Sequence, residues 1–240
     1  METISEKECL EIITAPLRLK KEGFRHLWVG YSGYGKTVDN ARLIRYVEDT
    51  VAKCFLITTD QKNRVVEYPG EQIVLVDQLG QIEGQSAVIR GAAMTKSAED
   101  EIDFEALAKR IWNIARTTNV PVVLAIDELF DACSSSQTWG PLERGKRKSE
   151  MDRLYRQGRV LGISLAVTTQ VPQEIPRLAY AMSDTVCLFR MDGREIDYLH
   201  RLGVIVGEDA EILQGFSVGE FLLCQKGQPK KRCSFLIDRK

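Results

Sequence analysis

Residues 24–47 read FRHLWVG-YSGYGKT-VDNARLIRYV. Apolar Leu27, Trp28 and Val29 lead in as the end of a strand. Val38, Ala41, Ile44, Val47 and Val51 then recur at helical spacing. Between them Gly30, four residues, Gly35, Lys36 and Thr37 fit G-x-x-x-x-G-K-[ST], the phosphate-loop pattern. Gly30, Gly33 and Gly35 can adopt positive φ and let the backbone approach a ligand closely. With Tyr31, Ser32 and Tyr34 they would form a nest of N–H groups at a helix N-terminus, suited to phosphate oxygens. Lys36 would reach the β- and γ-phosphates, and Thr37 would offer its hydroxyl to Mg²⁺. The stretch is therefore expected to bind a nucleotide.

The totals bound the remaining possibilities. The 240 residues are 44% hydrophobic and 28% charged, ordinary for a globular chain with a core of useful size. A net charge of −1 means that any affinity for nucleic acid must come from local patches. Six cysteines show no C-x-x-C pair, and several lie in apolar runs, which predicts small buried hydrophobes in a reducing compartment. Met1–Glu11 is acidic and polar, unlike a signal peptide. No apolar run has the length of a bilayer span. An intracellular location is expected, in a host cytoplasm or on a virion if another subunit holds the chain there.

Along the chain, Met1–Gly23 reads as an N-terminal extension, with a turn expected at Pro16, ahead of one domain over residues 24–240. Buried strands are expected at Lys53–Thr58, Ile73–Val76, Ser86–Ile89, Val122–Ile126, Gly162–Thr168 and Thr185–Phe189. Ser97-x-x-Asp100 resembles a capping box for a helix carrying Phe104, Leu107, Ile111, Ile114 and Ala115 on one face. Residues 132–148 read as a loop, about Lys148–Val160 as a helix, then a short helix to Ala181 and another over Glu195–Leu202. Phe221–Cys224 and Cys233–Ile237 read as a closing antiparallel hairpin. Alternating strands and helices predict an α/β fold, a mostly parallel central sheet with helices on both faces. Ligands in such sheets sit at the carboxyl ends of strands. The phosphate loop, Asp127-Glu128 and Gln170 all fall at such ends.

Each of these has a chemical use. Asp127 ends a buried strand, where a carboxylate needs a cation, and Mg²⁺ on nucleotide phosphates supplies one. Glu128 is the natural general base for a water attacking the γ-phosphate. Gln170 can orient that water through its carboxamide. Residues 144–159 carry Arg144, Lys146, Arg147, Lys148, Arg153, Arg156 and Arg159 against Glu143, Glu150 and Asp152. Three readings stay open: contacts to a nucleic-acid backbone, an arginine donated to a neighbouring subunit's nucleotide, or a solvated face.

GYSGYGKT at 30–37, VVLAIDE at 122–128 and especially GRVLGISLAVTTQVPQEIP at 158–176 together resemble the FtsK/HerA superfamily of ATP-driven DNA pumps. The resemblance covers roughly residues 24–238, and the Gln170 segment selects it among phosphate-loop families. It implies a RecA-like fold of the ASCE division. It implies ATP and Mg²⁺ as cofactors, Lys36 and Thr37 at the phosphates and metal, Asp127 at the metal, Glu128 as base and Gln170 as sensor. An arginine would act in trans, and Arg159 or Arg156 is expected in that role. It further implies a homo-oligomeric ring, usually a hexamer, around double-stranded DNA. Economy beyond the motor core is most like viral or phage DNA-packaging ATPases, with a capsid, portal or membrane protein as a further partner. A conjugation or DNA-processing ATPase, or a phage morphogenesis ATPase, are the alternatives.

Overall fold

The phosphate-loop stretch folds as its spacing predicts, into a strand, a turn and a helix, and it sits at the centre of one sheet. The structure, a computed structural model, describes residues 1–20, 22–48, 53–58, 73–74, 86–90, 104–128, 150–175 and 177–235. In chain order its elements are β1 (Glu2–Ile4), α1 (Glu6–Lys20), β2 (Arg25–Val29), α2 (Lys36–Glu48), β3 (Lys53–Thr58), β4 (Ile73–Val74) and β5 (Ser86–Arg90). Then follow α3 (Phe104–Thr118), β6 (Val122–Ile126), α4 (Glu150–Gln157), a 3₁₀ turn over Gly158–Leu161, β7 (Ile163–Thr169) and α5 (Arg177–Met182). The chain closes with β8 (Thr185–Leu188), α6 (Gly193–Arg201), α7 (Gly207–Gln214), β9 (Glu220–Gln225) and β10 (Lys231–Ser234).

The described strands form one sheet in the order β1-β10-β9-β8-β2-β7-β6-β3-β5-β4. From β4 to β8 every pairing is parallel. β9 runs antiparallel to both β8 and β10. This is the expected α/β architecture with its C-terminal antiparallel pair. The strand that ends in Gln170 lies between the phosphate-loop strand and the strand that ends before Asp127. Val29 faces Thr169 on one side of β7, and Ile126 faces Val167 on the other.

Side chains alternate between the two faces, as the pleat requires. Leu27, Val29, Leu124, Ile126, Leu165 and Val167 pack with Leu107 and Ile111 of α3, Leu154 of α4 and Leu199 of α6. Trp28, Val123, Ala125 and Ala166 pack on the other face with Ile13 and Leu17 of α1 and Leu43, Ile44 and Val47 of α2. Trp28 anchors that second core, edge-on to Phe221 at 5.6 Å between ring centroids. Cys9, Cys54, Cys187 and Cys233 are buried thiols within it.

Several boundaries differ from the sequence expectation. The turn expected at Pro16 is absent, because α1 runs through it to Lys20. A proline inside a helix costs about 3 kcal/mol. Burying Cys9, Leu10, Ile13 and Leu17 on one face outweighs that, since each large apolar side chain contributes about 1.5–3 kcal/mol. The helix expected to reach Val160 tightens into a 3₁₀ turn after Gln157. Of the strand expected over Ile73–Val76, Ile73–Val74 is a strand and residues 75–76 lie outside the described residues, and Cys233–Ile237 is a strand over Lys231–Ser234. The capping box at Ser97 and the loop over 132–148 lie outside the described residues.

Arg25, the first residue of β2, is 1% exposed. Its guanidinium donates to the carbonyls of Leu154 (2.6 Å), Tyr155 (3.1 Å), Ile163 (2.6 Å) and Phe24 (3.0 Å). It thereby caps the end of α4 and ties that helix to β2 and β7. Arg25→Met is expected to lower the unfolding free energy by at least about 2 kcal/mol, because buried carbonyls lose their donor. Urea denaturation of wild type and variant measures this, with exposed Arg110→Met as the comparison expected to change little.

Candidate active site

Strand alternation explains which side chains meet. Asp127 continues the row of Val123 and Ala125, and Thr168 continues that of Ala166, so both arrive on the α2 side of the sheet. There the Thr37 hydroxyl lies 3.1 and 3.2 Å from the two Asp127 carboxylate oxygens. The Thr168 hydroxyl donates to Asp127 Oδ1 at 2.8 Å and accepts from the Glu128 N–H at 2.7 Å. Glu128 stands at φ +55°, a left-handed conformation that side-chain-bearing residues rarely adopt. Strict alternation would send its side chain to the other face of the sheet. The turn instead brings Oε1 to the N–H of Gln170 at 2.8 Å.

The loop itself is shaped by its glycines. Gly30, Gly33 and Gly35 have φ of +148°, +80° and +107°. A Cβ on Gly30 would stand 2.7 Å from Phe189 Cβ, so no larger residue fits. Three neighbours pin the loop backbone. Gly30 N–H donates to Thr169 C=O (3.1 Å), Tyr31 N–H to Arg190 C=O (3.2 Å), and Gly219 N–H to Tyr34 C=O (3.1 Å). The Tyr31 hydroxyl donates to Asp192, with Glu195 3.3 Å away. The bond to Asp192, with burial and the Glu195 charge, pushes that phenol up to about 12. Ser32 and Gly33 are exposed at the crest.

Lys36 is 5% exposed and donates to the carbonyls of Gly30 (2.7 Å) and Tyr31 (2.9 Å). Burial pulls its pKa down, opposed by the charges of Glu128 and Asp127. Burial likewise raises the pKa of Glu128, opposed by Lys36 and by the hydrogen bonds from Gln170. A carboxyl with a raised pKa is a stronger base, suited to taking a proton. The hydroxyl of Thr37 and the carboxylate of Asp127 form a hard oxygen pair, which fits Mg²⁺.

Lys36, Thr37, Asp127, Glu128 and Gln170 are thus brought to one edge. Arg159 and Arg156 are not. Both lie at the opposite edge, where β7 begins. Arg159 pairs there with Asp184 (2.6 Å) and Glu22 (3.2 Å) within its own chain. Arg156 is exposed in the last turn of α4, and Arg153 stacks over Trp112 at 4.0 Å. The residues 144–148 of the basic stretch lie outside the described residues.

Sequence reasoning missed Thr168 and the Tyr31–Asp192 contact. Thr168 had one available signal: it stands two residues before Gln170, on the same side of the strand. Thr168→Val keeps the shape but leaves the Glu128 N–H without its acceptor. The expected loss is about 1–3 kcal/mol of stability, read from the denaturant midpoint.

No family model matches the sequence, and no curated protein matches it by sequence. Solved structures match its fold. The DNA-packaging ATPase B204 of Sulfolobus turreted icosahedral virus superposes with a TM-score of 0.67 at 19% identity, over 89% of this chain and 98% of that one. VirB4 of Thermoanaerobacter pseudethanolicus gives 0.68 at 10% identity, over 90% of each chain. The pCW3 conjugation coupling protein TcpA, solved with ATPγS, gives 0.54 at 16% identity, over 88% of this chain and 59% of that one. The fold of this chain is the phosphate-loop ATPase fold that these proteins share.

Proposed function

We propose that this chain is an Mg²⁺-dependent ATPase that assembles as a ring, usually a hexamer for such motors, and drives double-stranded DNA through it to package a viral or phage genome. One observation carries the reading: the phosphate-loop lysine, a Thr–Asp oxygen pair, a carboxylate of raised pKa and a carboxamide converge where three adjacent strands end. The fold shared with a viral DNA-packaging ATPase supports the motor role. The ATPγS bound by TcpA supports ATP as the nucleotide.

The chemistry then follows from the geometry. Loop N–H groups and Lys36 hold the phosphates in place. Thr37 and Asp127 would hold Mg²⁺, which would supply positive charge against the negative charge of the phosphates. Glu128 accepts a proton from a water as the water oxygen bonds to the γ-phosphorus. The bond from that phosphorus to the β,γ-bridging oxygen breaks, and ADP leaves with the electron pair. Gln170, joined to Glu128 through its N–H, sets where that water stands. A second reading, a conjugation ATPase, is favoured by the likeness to TcpA.

Glu128→Gln is expected to bind ATP but turn it over at least about 100-fold more slowly, in keeping with loss of a general base. Double-stranded DNA is expected to stimulate the wild type in a phosphate-release assay. Unchanged turnover in the variant would remove Glu128 as the base, and indifference to DNA would remove the translocation role.

Arg159 or Arg156 is the arginine we assign to a neighbour's nucleotide. Arg159→Ala or Arg156→Ala protein is expected to be inactive alone and to regain turnover when mixed with Glu128→Gln protein. No recovery in mixed rings would refute the assignment.

A further inference from the structure

Helices α1 and α6 are each preceded by a short polar residue with a glutamate three positions further on: Ser5-x-x-Glu8 and Asp192-x-x-Glu195. That spacing makes a capping box, in which each side chain accepts from the other residue's N–H. At α1 the box is closed. Glu8 accepts from the Ser5 N–H at 3.1 Å, and the Ser5 hydroxyl accepts from the Glu8 N–H at 3.2 Å. At α6 it is open. Asp192 has the extended backbone of an N-cap, φ −147° and ψ 177°, yet its carboxylate accepts no N–H from the helix it precedes. The Glu195 N–H donates to the main-chain carbonyl of Asp192 instead, at 3.2 Å.

Both carboxylates are drawn off by one group of the phosphate loop. The Tyr31 hydroxyl donates to Asp192 Oδ1 and lies 3.3 Å from Glu195 Oε2. A carboxylate at an N-cap answers orphan N–H groups at the positive end of a helix. Here that contact is given up, and what stands in its place is a tie between the loop and α6. With the Asp192 carboxylate turned back onto the first turn of α6, Tyr31 would lose its acceptor.

Tyr31 is also where phosphates would act on the loop. Its carbonyl accepts from the Lys36 ammonium at 2.9 Å, beside that of Gly30 at 2.7 Å. Phosphate oxygens compete for that ammonium through stronger, charge-assisted bonds. They also bring negative charge towards the two carboxylates gathered on the Tyr31 hydroxyl. The N–H groups at the start of α6 offer those carboxylates a more favourable place.

We propose that Asp192 is a positioning residue of the nucleotide site: it holds the phosphate loop through Tyr31 and, when phosphates take the Lys36 ammonium, releases it and closes the capping box with Glu195. The proposal rests on the phosphate-loop reading above and adds to it a helix that registers occupancy of the loop. The same helix borders the Gln170 segment. Tyr198 of α6 meets Tyr180 edge-on at 6.4 Å between ring centroids, and the Tyr180 hydroxyl donates to the carbonyl of Pro172 at 3.2 Å, two residues beyond Gln170.

Amide hydrogen exchange at residues 192 and 195, read by NMR with and without Mg²⁺ and a non-hydrolysable ATP analogue, tests this. In wild type both amides are expected to slow by about fivefold when the analogue binds, the scale of one N-cap contact. Tyr31→Phe removes only the hydroxyl. Its two amides are expected to be slow already without the analogue, which then changes them by less than about twofold. Asp192→Ala is expected to leave the Glu195 amide fast in both conditions. A Tyr31→Phe protein that exchanges like wild type without the analogue overturns the proposal, and so does a wild type whose two amides ignore a bound analogue. Calorimetry on the same samples separates this from the reading beneath it. If the analogue does not bind wild type, or binds Lys36→Ala as tightly, the phosphate-loop reading fails and the exchange of partners falls with it.

Discussion

The Asp127 carboxylate, met by hydroxyls from Thr37 and Thr168, is the junction on which the site depends. It joins the end of β6, the first turn of α2 and the last residues of β7. A carboxylate 7% exposed loses most of its hydration, and neutral hydroxyls restore only part of it. The buried ammonium of Lys36 supplies further compensation, which is why burial and the two acidic charges pull its pKa in opposite directions. None of these groups is tolerable alone at this depth. Together they make a small, mutually supported array in which each group offsets part of the others' desolvation.

Much of this was legible in the sequence, for physical reasons. A glycine pattern and a following helical stripe are local, so the phosphate loop could be read from adjacent residues. Apolar runs that end abruptly in Asp127-Glu128 or in Gln170 mark strand ends in a parallel sheet, and ends of parallel strands share an edge. What could not be read depends on distant partners. The helix through Pro16 exists because residues far along the chain, such as Phe221 and Cys233, bury its apolar face. Arg25 looks like an ordinary charge until Leu154 and Tyr155, some 130 positions later, present their carbonyls to it. The left-handed turn at Glu128 has no glycine or asparagine to announce it, and it is held by a threonine from another strand.

The two ends of the parallel strands hold different chemistry. At one end are the lysine, the carboxylates and the carboxamide. At the other, Arg25, Glu22, Arg159 and Asp184 form a buried-to-exposed charge cluster that fastens α4 and the 3₁₀ turn to the sheet. β2 and β7 pass directly between these clusters, hydrogen-bonded along their whole length. A parallel pair of strands is stiff along its axis, so α4 and the phosphate loop are held in a fixed relation. Displacing α4 would require breaking the four carbonyl contacts of Arg25 rather than bending the sheet.

The short parallel pairing of β1 with β10 has a practical consequence. Three N-terminal residues, Glu2–Ile4, shield the outer flank of β10 from other chains. Trimming them, or displacing them with a purification tag, would leave a row of unsatisfied amide and carbonyl groups able to template intermolecular β-association. Poor solubility of a shortened or N-terminally tagged preparation would then reflect a bared strand and not a failure of the central sheet to form.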